Sequence, residues 1–365
     1  MIPAHRKKRW VLMNPGPVNV TNRVRKALLK PDICHREKEF SELLASIRKR
    51  LLKIFGAEST HTAALFTGSG TAALEAMLFS FTDKDHKTLV LANGVYGERV
   101  REIMELHGSP VRTLSSDIGS FPSLSEIEKI LRSDRSLRAI AMVHHETSSG
   151  MLNPLGEVAR LARRYKKTFL VDAVSSIGAE RIDLKDIGSL AGTAGKCLHG
   201  YPGVSFVLVS KKEAAKNRRN RPRTLYLDLW NTLRHEENQD TPFTPAVPLF
   251  YAFEEALKEL QAEGLQKRFH VYEARCRLLE EGFQKLGLRF LVKKKFRSHV
   301  LTSLWMPDGL PYKKLHGTLK RKGFVIYAGQ SRLAGKIFRV SNLGEMSFKD
   351  IRRFLSVLRK ILVGI

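Results

Sequence analysis

Apolar residues along the chain follow two alternating patterns. Short continuous runs stand at KTLVLAN (87–93), RAIAMVHHET (138–147), KTFLVDAVSS (167–176) and VSFVLVS (204–210). Rich in Val, Ile, Leu and Phe, they predict strands buried on both faces, as in parallel sheets. Between them the spacing becomes helical. SELLASIRKRLLKIF (41–55) puts Leu44, Ile47, Leu51 and Phe55 on one face. NPLGEVARLARRYKK (153–167) has a capping Asn153, Pro154 at the first helical position, and an apolar face of Val158, Leu161, Ala162 and Tyr165. TGSGTAALEAMLFSF (67–81) reads as a glycine-rich turn opening a helix, and SIGAERIDLKDIGSLAGTAG (176–195) contains one more strand-like segment. Such alternation predicts an α/β domain around a mostly parallel central sheet.

After about residue 250 the pattern changes. Long helical stretches over 250–286 lead to RFLV (289–292), VLTSLWMP (300–307), a helix at 312–322, FVIYAG (324–329) and IFRVSNLG (337–344). The last segment, FKDIRRFLSVLRKIL (348–362), is an amphipathic helix with Ile351, Phe354, Leu355, Leu358 and Leu362 on one side. This predicts a smaller C-terminal α+β domain. The division expected is a large domain over 1–255 and a small one over 256–365, with the N-terminal segment reaching the small domain and the substrate. The stretch 217–248, with four prolines and many polar residues, reads as long surface loops of the large domain.

Composition narrows the class. The chain has 365 residues, 43% hydrophobic and 27% charged, as a globular protein does. No apolar run approaches the roughly 20 residues of a membrane helix, and no secretory pattern opens the chain, so a cytoplasmic protein without a membrane is expected. Cys34, Cys197 and Cys276 are far apart and show neither disulfide nor metal-ligand spacing. The formal net charge of +27 is high. Its carriers are scattered, as in RRYKK (163–167), KKKFR (293–297) and KRK (320–322), often at predicted helix C-termini, where cations suit the dipole. A nucleic-acid binder is the rival from another class, but zinc-finger spacing and aromatic RNA-binding signatures are missing from the sequence.

Four features fall at predicted strand ends or a helix start, the edge where open α/β sheets bind ligands. Gly68–Thr71, GSGT, can turn backbone N–H groups toward an anion. Asp172 closes an apolar strand, where a carboxylate needs a cationic partner or several donors. Lys196 stands among small residues in GTAGKCLHGYPG (192–203), where a lowered pKa suits a Schiff-base amine. HHETSSG (144–150) offers hydroxyls, while its histidines read as packing residues with satisfied ring nitrogens. Each alone has an ordinary structural reading. Together they describe a pyridoxal phosphate site: a phosphate cradle, a carboxylate for the ring nitrogen, an amine for the aldehyde and hydroxyls around the ring.

The chain also resembles the class V, fold-type I, pyridoxal phosphate aminotransferases. The matching stretches are NPGP, PDICHREKEF, GSGTAALEAM, NGVYGERV, MVHHETSSGMLNP, FLVDAVSS, GKCLHGYPG, PFTPAVP, GFVIYAG and FRVSNLGE, in order over most of the chain. Within the family it is most similar to the 2-aminoethylphosphonate–pyruvate aminotransferases. The resemblance implies that Lys196 anchors the cofactor and moves the proton. Asp172 is implied to pair with the ring nitrogen, and Tyr96 to stack on the ring. Ser69, Gly70 and Thr71 would hold the phosphate, and Thr147 the ring-hydroxyl side. Thr244 is implied to reach the phosphate of a neighbouring subunit, which makes the expected assembly a homodimer. Arg339 is implied to bind a substrate carboxylate, with Gly16 beside the substrate, and His35 and Arg36 are candidates for a phosphonate. Two departures stand out. Gly195 precedes the lysine where the family has Asn or Gln, and the segment usually read as IYPGK ends here in Ala328, Gly329 and Gln330. The implied reaction passes an amino group from 2-aminoethylphosphonate to pyruvate. The rivals are a serine or alanine aminotransferase using glyoxylate or pyruvate, and a cofactor-free basic protein that binds nucleic acid.

Overall fold

The computed structural model describes residues 10–218 and 221–363. Seven strands build the main sheet: β1 His61–Gly68, β2 Lys87–Ala92, β3 Val111–Ser115, β4 Leu137–Val143, β5 Thr168–Asp172, β6 Ser189–Thr193 and β7 Gly203–Ser210. Their order is β1-β7-β6-β5-β4-β2-β3, and every pairing is parallel except those of β7, which runs against both β1 and β6. The apolar runs are continuous because both faces are covered. Along β4, Leu137, Ile140 and Met142 enter one core, while Ala139, Ala141 and Val143 enter the other. One face carries α1 Lys38–Ile54, α4 Leu155–Arg164 and α6 Val247–Glu263, and the opposite face carries α2 Gly70–Phe81, α3 Val95–Leu106 and α5 Leu229–Glu237. The result is the three-layer α/β arrangement expected for fold-type I.

Several elements depart from the periodicity. β4 and β5 stop at Val143 and Asp172, well short of the full apolar runs, because the residues beyond them turn into the loops of the C-terminal sheet edge. Four elements lie outside those expected: β1, which contains paired alanines, β3, a half-buried edge strand, α3, and the helix Leu124–Ser133, whose Ser123–Glu126 capping box and buried Ile127 and Leu131 do mark it in the sequence. RFLV forms no strand beyond a single bridge from Phe290 to Leu304. The stretch 217–248 is not loop throughout. Its prolines flank α5, whose cap Asp228 accepts from the N–H groups of Trp230 (3.0 Å) and Asn231 (3.2 Å). Leu229, Trp230 and Leu233 then bury against the sheet, each large apolar side chain contributing about 1.5–3 kcal/mol.

A second sheet, β8 Leu301–Trp305, β9 Tyr327–Ala328 and β10 Ile337–Ser341, is antiparallel in the order β8-β10-β9. Helices α7 Leu265–Lys285, α8 Tyr312–Arg321 and α9 Phe348–Val363 cover it through Phe283, Leu315, Leu319, Phe354 and Leu358. The N-terminal segment belongs to this core: Val11 and Met13 are buried in it, and Val11–Leu12 pairs in parallel with Phe324–Val325. Among the described residues no helix is long and apolar enough to cross a membrane, and no cluster of His, Cys, Asp and Glu could hold a metal.

Candidate active site

All the parallel strands of the main sheet end at one edge, and β7 begins there. That edge gathers the chemistry. Asp172 is the last residue of β5. Lys196 lies on the connection from β6 to β7, and Ser69 to Thr71 open α2 directly after β1. Tyr96 is in the first turn of α3 after β2, and Thr147 follows β4. The second sheet adds Arg339 on β10, and the N-terminal segment adds Gly16.

The Lys196 ammonium donates to the backbone carbonyl of Pro15, with no carboxylate within ion-pair distance among the described residues. Burial pushes its pKa down, Arg339 and Arg99 push the same way, and Asp172 only partly opposes them. Gly16 is required here on two counts. Its φ of 130° lies where L side chains are strained, and an added Cβ would stand 2.5 Å from Lys196 Nζ. Gly195 is required by space: a Cβ there would stand 2.8 Å from both Cα and N of Pro202. An Asn or Gln at this position therefore needs Pro202 to move.

Asp172 is buried, and its Oδ1 accepts from the Val174 N–H at 2.9 Å. Burial raises its pKa to about 6, with Glu146 adding to the rise. Arg99 and Lys196 oppose the rise from nearby, but among the described residues neither forms an ion pair with this carboxylate. At α2, Ser69 makes no side-chain capping bond, so the N–H groups of Gly70 and Thr71 face the edge without a side-chain acceptor. Arg339 is fully buried in spite of its charge. Its Nε donates to Ala328 O (2.9 Å), and its Nη1 donates to Thr147 O (2.9 Å) and Gln330 Oε1 (3.1 Å). None of these bonds uses Nη2. Gln330 can accept from the guanidinium, which a lysine in its place could not do.

Two of the HHETSSG hydroxyls, those of Ser148 and Ser149, bond to Glu146. Glu146, buried between them, receives Ser148 Oγ (2.5 Å) and the N–H groups of Ser148, Tyr96 and Gly97 (3.1 Å each). Its carboxylate thus caps α3 from a different strand and fixes the backbone of Tyr96. The signal was present in the sequence, since Glu146 also closes an apolar run, as Asp172 does. The histidines are packed and satisfied: His145 pairs with Ser175 O (3.0 Å) and Ser298 Oγ (2.8 Å), and His144 with Ser176 Oγ (3.0 Å). Burial takes His144 down to about 4, so it is neutral. Arg99, which no motif singled out, lies over the Tyr96 ring at 4.7 Å.

Three candidates make no contact with this cluster. Thr244 is exposed on the loop after α5, which docks through Ala246 N–H on Thr67 Oγ1 (3.1 Å). Arg36 is exposed and bound to Asp240 Oδ1 (2.8 Å) and Thr241 O (2.7 Å), which braces that same loop, and His35 is its half-buried neighbour.

Comparison with known proteins decides the family. Residues 23–353 match the profile of the class-V aminotransferases. The chain belongs to the class-V aminotransferase family. A 2-aminoethylphosphonate–pyruvate transaminase of Bacillus cereus (strain AH820) is 34% identical over 363 residues, covering 97% of this chain and 99% of that one. Among solved structures, an alanine–glyoxylate aminotransferase from Nostoc sp. superposes with a TM-score of 0.92 at 27% identity, covering 99% of this chain and 97% of the other. A ureidoglycine–glyoxylate aminotransferase from Bacillus subtilis gives 0.90 at 26%, covering 99% and 95%.

The cofactor of this class-V aminotransferase is pyridoxal phosphate. The sheet edge fits it on three independent grounds: first-turn N–H groups without a side-chain cap, a buried carboxylate without an ion pair among the described residues, and a buried lysine whose amine donates to a backbone carbonyl.

Proposed function

We propose that this class-V aminotransferase moves the amino group of 2-aminoethylphosphonate to pyruvate, yielding phosphonoacetaldehyde and alanine. The observation that carries the donor is the likeness to a 2-aminoethylphosphonate–pyruvate transaminase across nearly the whole of both chains. Bound pyridoxal phosphate supplies the electron sink that makes the proton on the amine-bearing carbon acidic. The protein supplies the rest. Lys196, whose pKa burial lowers and whose amine donates to Pro15 O, would anchor the cofactor and act as the general base that moves the proton. Asp172 would hold a protonated ring nitrogen, which would ion-pair with its buried carboxylate. Ser69, Gly70 and Thr71 take the phosphate. Tyr96, its backbone set by Glu146, would stack on the cofactor ring, and Thr147 would lie on the ring-hydroxyl side. Arg339 offers its remaining N–H donors to the pyruvate carboxylate, and Gly16 keeps the backbone close to Lys196. Thr244, exposed here, is offered to a second copy, so the functional unit is a homodimer. His35 and Arg36, on the loop braced to the Thr244 loop, are assigned to the phosphonate.

A second reading has its own support. The Nostoc alanine–glyoxylate aminotransferase superposes closely, which favours a small amino acid as donor. Half-reaction spectra separate the two. With cofactor bound, 2-aminoethylphosphonate and L-alanine should each convert the absorbance of the aldehyde form to that of the amine form. Lys196→Ala should show no conversion and no borohydride-fixed chromophore. Conversion by alanine or serine, with none by 2-aminoethylphosphonate, would overturn the first reading in favour of the second.

A further inference from the structure

His199 is the one buried residue of the described chain other than glycine with a clearly left-handed backbone, at φ 58°. It closes the turn that carries Lys196, donating its N–H to Lys196 O at 3.1 Å. Glycine or asparagine would take that conformation at lower cost. The histidine side chain has a specific engagement instead. Its Nε2 lies 2.7 Å from the hydroxyl of Tyr272 on α7, which is fully buried. Burial drives the pKa of His199 well below its ordinary value, with Arg268 and Arg275 adding to the shift, so the ring is neutral. The Tyr272 hydroxyl also accepts the Gly344 N–H at 3.4 Å. The hydroxyl thus links His199 Nε2 to the Gly344 N–H, one oxygen bridging the two segments.

The chain of contacts continues from Gly344 back to the lysine. Gly344 bridges to Asn19, whose carbonyl accepts from Glu345 N–H at 2.8 Å. Asn19 Oδ1 accepts from Leu12 N–H at 2.8 Å, and the segment between them, 14–17, contains the Pro15 carbonyl that holds Lys196 Nζ. Arg275 fastens the same loop from below, donating to Gly344 O at 3.0 Å and to Met346 O. β10, which carries Arg339, ends at Ser341, just before this loop. The circuit thus joins both ends of the Lys196 side chain to the element that presents Arg339.

We propose that the His199–Tyr272 pair is a positioning device that sets Lys196 relative to Arg339 by tying the lysine's turn to the loop after β10. Neither residue touches substrate. The inference rests on Lys196 being the cofactor anchor, and that is checked first: borohydride reduction of the wild-type holoenzyme must fix the chromophore on Lys196. Fixation elsewhere would sink the anchor assignment before any variant is made.

The test then uses His199→Gly, which relieves the backbone and removes the link, Tyr272→Phe, which keeps the ring and removes the hydroxyl, and the double variant. A misplaced reacting group predicts a kcat lower by ~10- to 100-fold in each single variant, with cofactor affinity retained. The pH midpoint of the visible absorbance should move in both, because the lysine nitrogen no longer sits in the same field. The double variant should lose no more than the weaker single, as expected when both remove one link. His199→Asn, which tolerates the turn and keeps a side-chain acceptor, should recover part of the His199→Gly loss. The proposal is overturned by an unchanged absorbance midpoint and kcat in the folded single variants, whatever their melting temperature. It is equally overturned by losses that multiply in the double variant.

Discussion

Burial sets the protonation of the charged groups at the sheet edge. Asp172 has its pKa raised to about 6, above the ordinary 3.8. A raised folded value means that the folded state holds the proton more tightly. The associated stability is full below the unfolded value and is lost as pH rises through the folded one. Cofactor-free wild type should therefore lose on the order of 1 kcal/mol relative to Asp172→Asn between about pH 5 and pH 7.5. Urea melts of both apoproteins at the two pH values measure this, and parallel behaviour of the two would contradict it. Bound cofactor should abolish the difference, since a cation beside Asp172 removes the reason for the shift. At the same scale, Gly195 is a site where the resemblance led to an expectation that space denies. Pro202 occupies the position an Asn or Gln Cβ would need. The glycine is legible in the sequence, but its cause is seven residues away and appears only when the turn closes.

α5 shows what an element adds beyond its own pattern. β1 is an outer strand of the main sheet, paired on one side by β7. On its other side, Glu236 of α5 accepts the Leu65 N–H at 2.9 Å. The carboxylate is buried, and its pKa rises to about 8. Arg48 approaches it at 3.4 Å but directs its hydrogen bonds to Ala63 O, Thr62 Oγ1 and Glu236 O, so burial outweighs the attraction. Glu236→Ala leaves the Leu65 N–H without its acceptor and should cost about 1–3 kcal/mol. Glu236→Gln keeps an acceptor without the charge, so it should match wild type near neutrality and exceed it above about pH 8.5, where wild type must ionise. Denaturation at both pH values checks the pair, and a Gln variant as weak as the Ala variant would refute the account. No periodicity shows this role, because the donor it serves is 171 residues away in sequence.

The main sheet and the second sheet are joined by buried polar contacts beside an apolar cluster of Val18, Ala179, Cys197, Tyr272, Val300 and Leu343. Glu180, buried beside the main sheet, receives the His299 N–H (2.6 Å) and pairs with His299 Nδ1 (2.7 Å) just ahead of β8. The Glu180 bond raises the His299 pKa above its ordinary 6.5. That contribution is full below the unfolded value and disappears as pH rises through the folded one. Thermal melts from about pH 6 to pH 8.5 should show wild type falling toward Glu180→Gln, with the variant lacking this component. Equal slopes would place the pH response elsewhere.

The sequence by itself determined the α/β class, the large sheet, the places where Lys196, Asp172 and the GSGT turn stand at its edge, and the strand of the second sheet that carries Arg339. Those features are local: apolar runs record burial on both faces, and glycines and lone charges mark strand ends. Tertiary structure alone decided which groups share a partner. It bonded the Ser148 and Ser149 hydroxyls to Glu146, set Arg339 against Thr147 O and Gln330, and put Pro202 where a side chain at 195 would go. It also folded α5 out of a stretch that reads as loop. Buried hydrogen bonds and close contacts between distant segments leave no period in a sequence, because either residue has an ordinary local reading until the chain brings the other beside it.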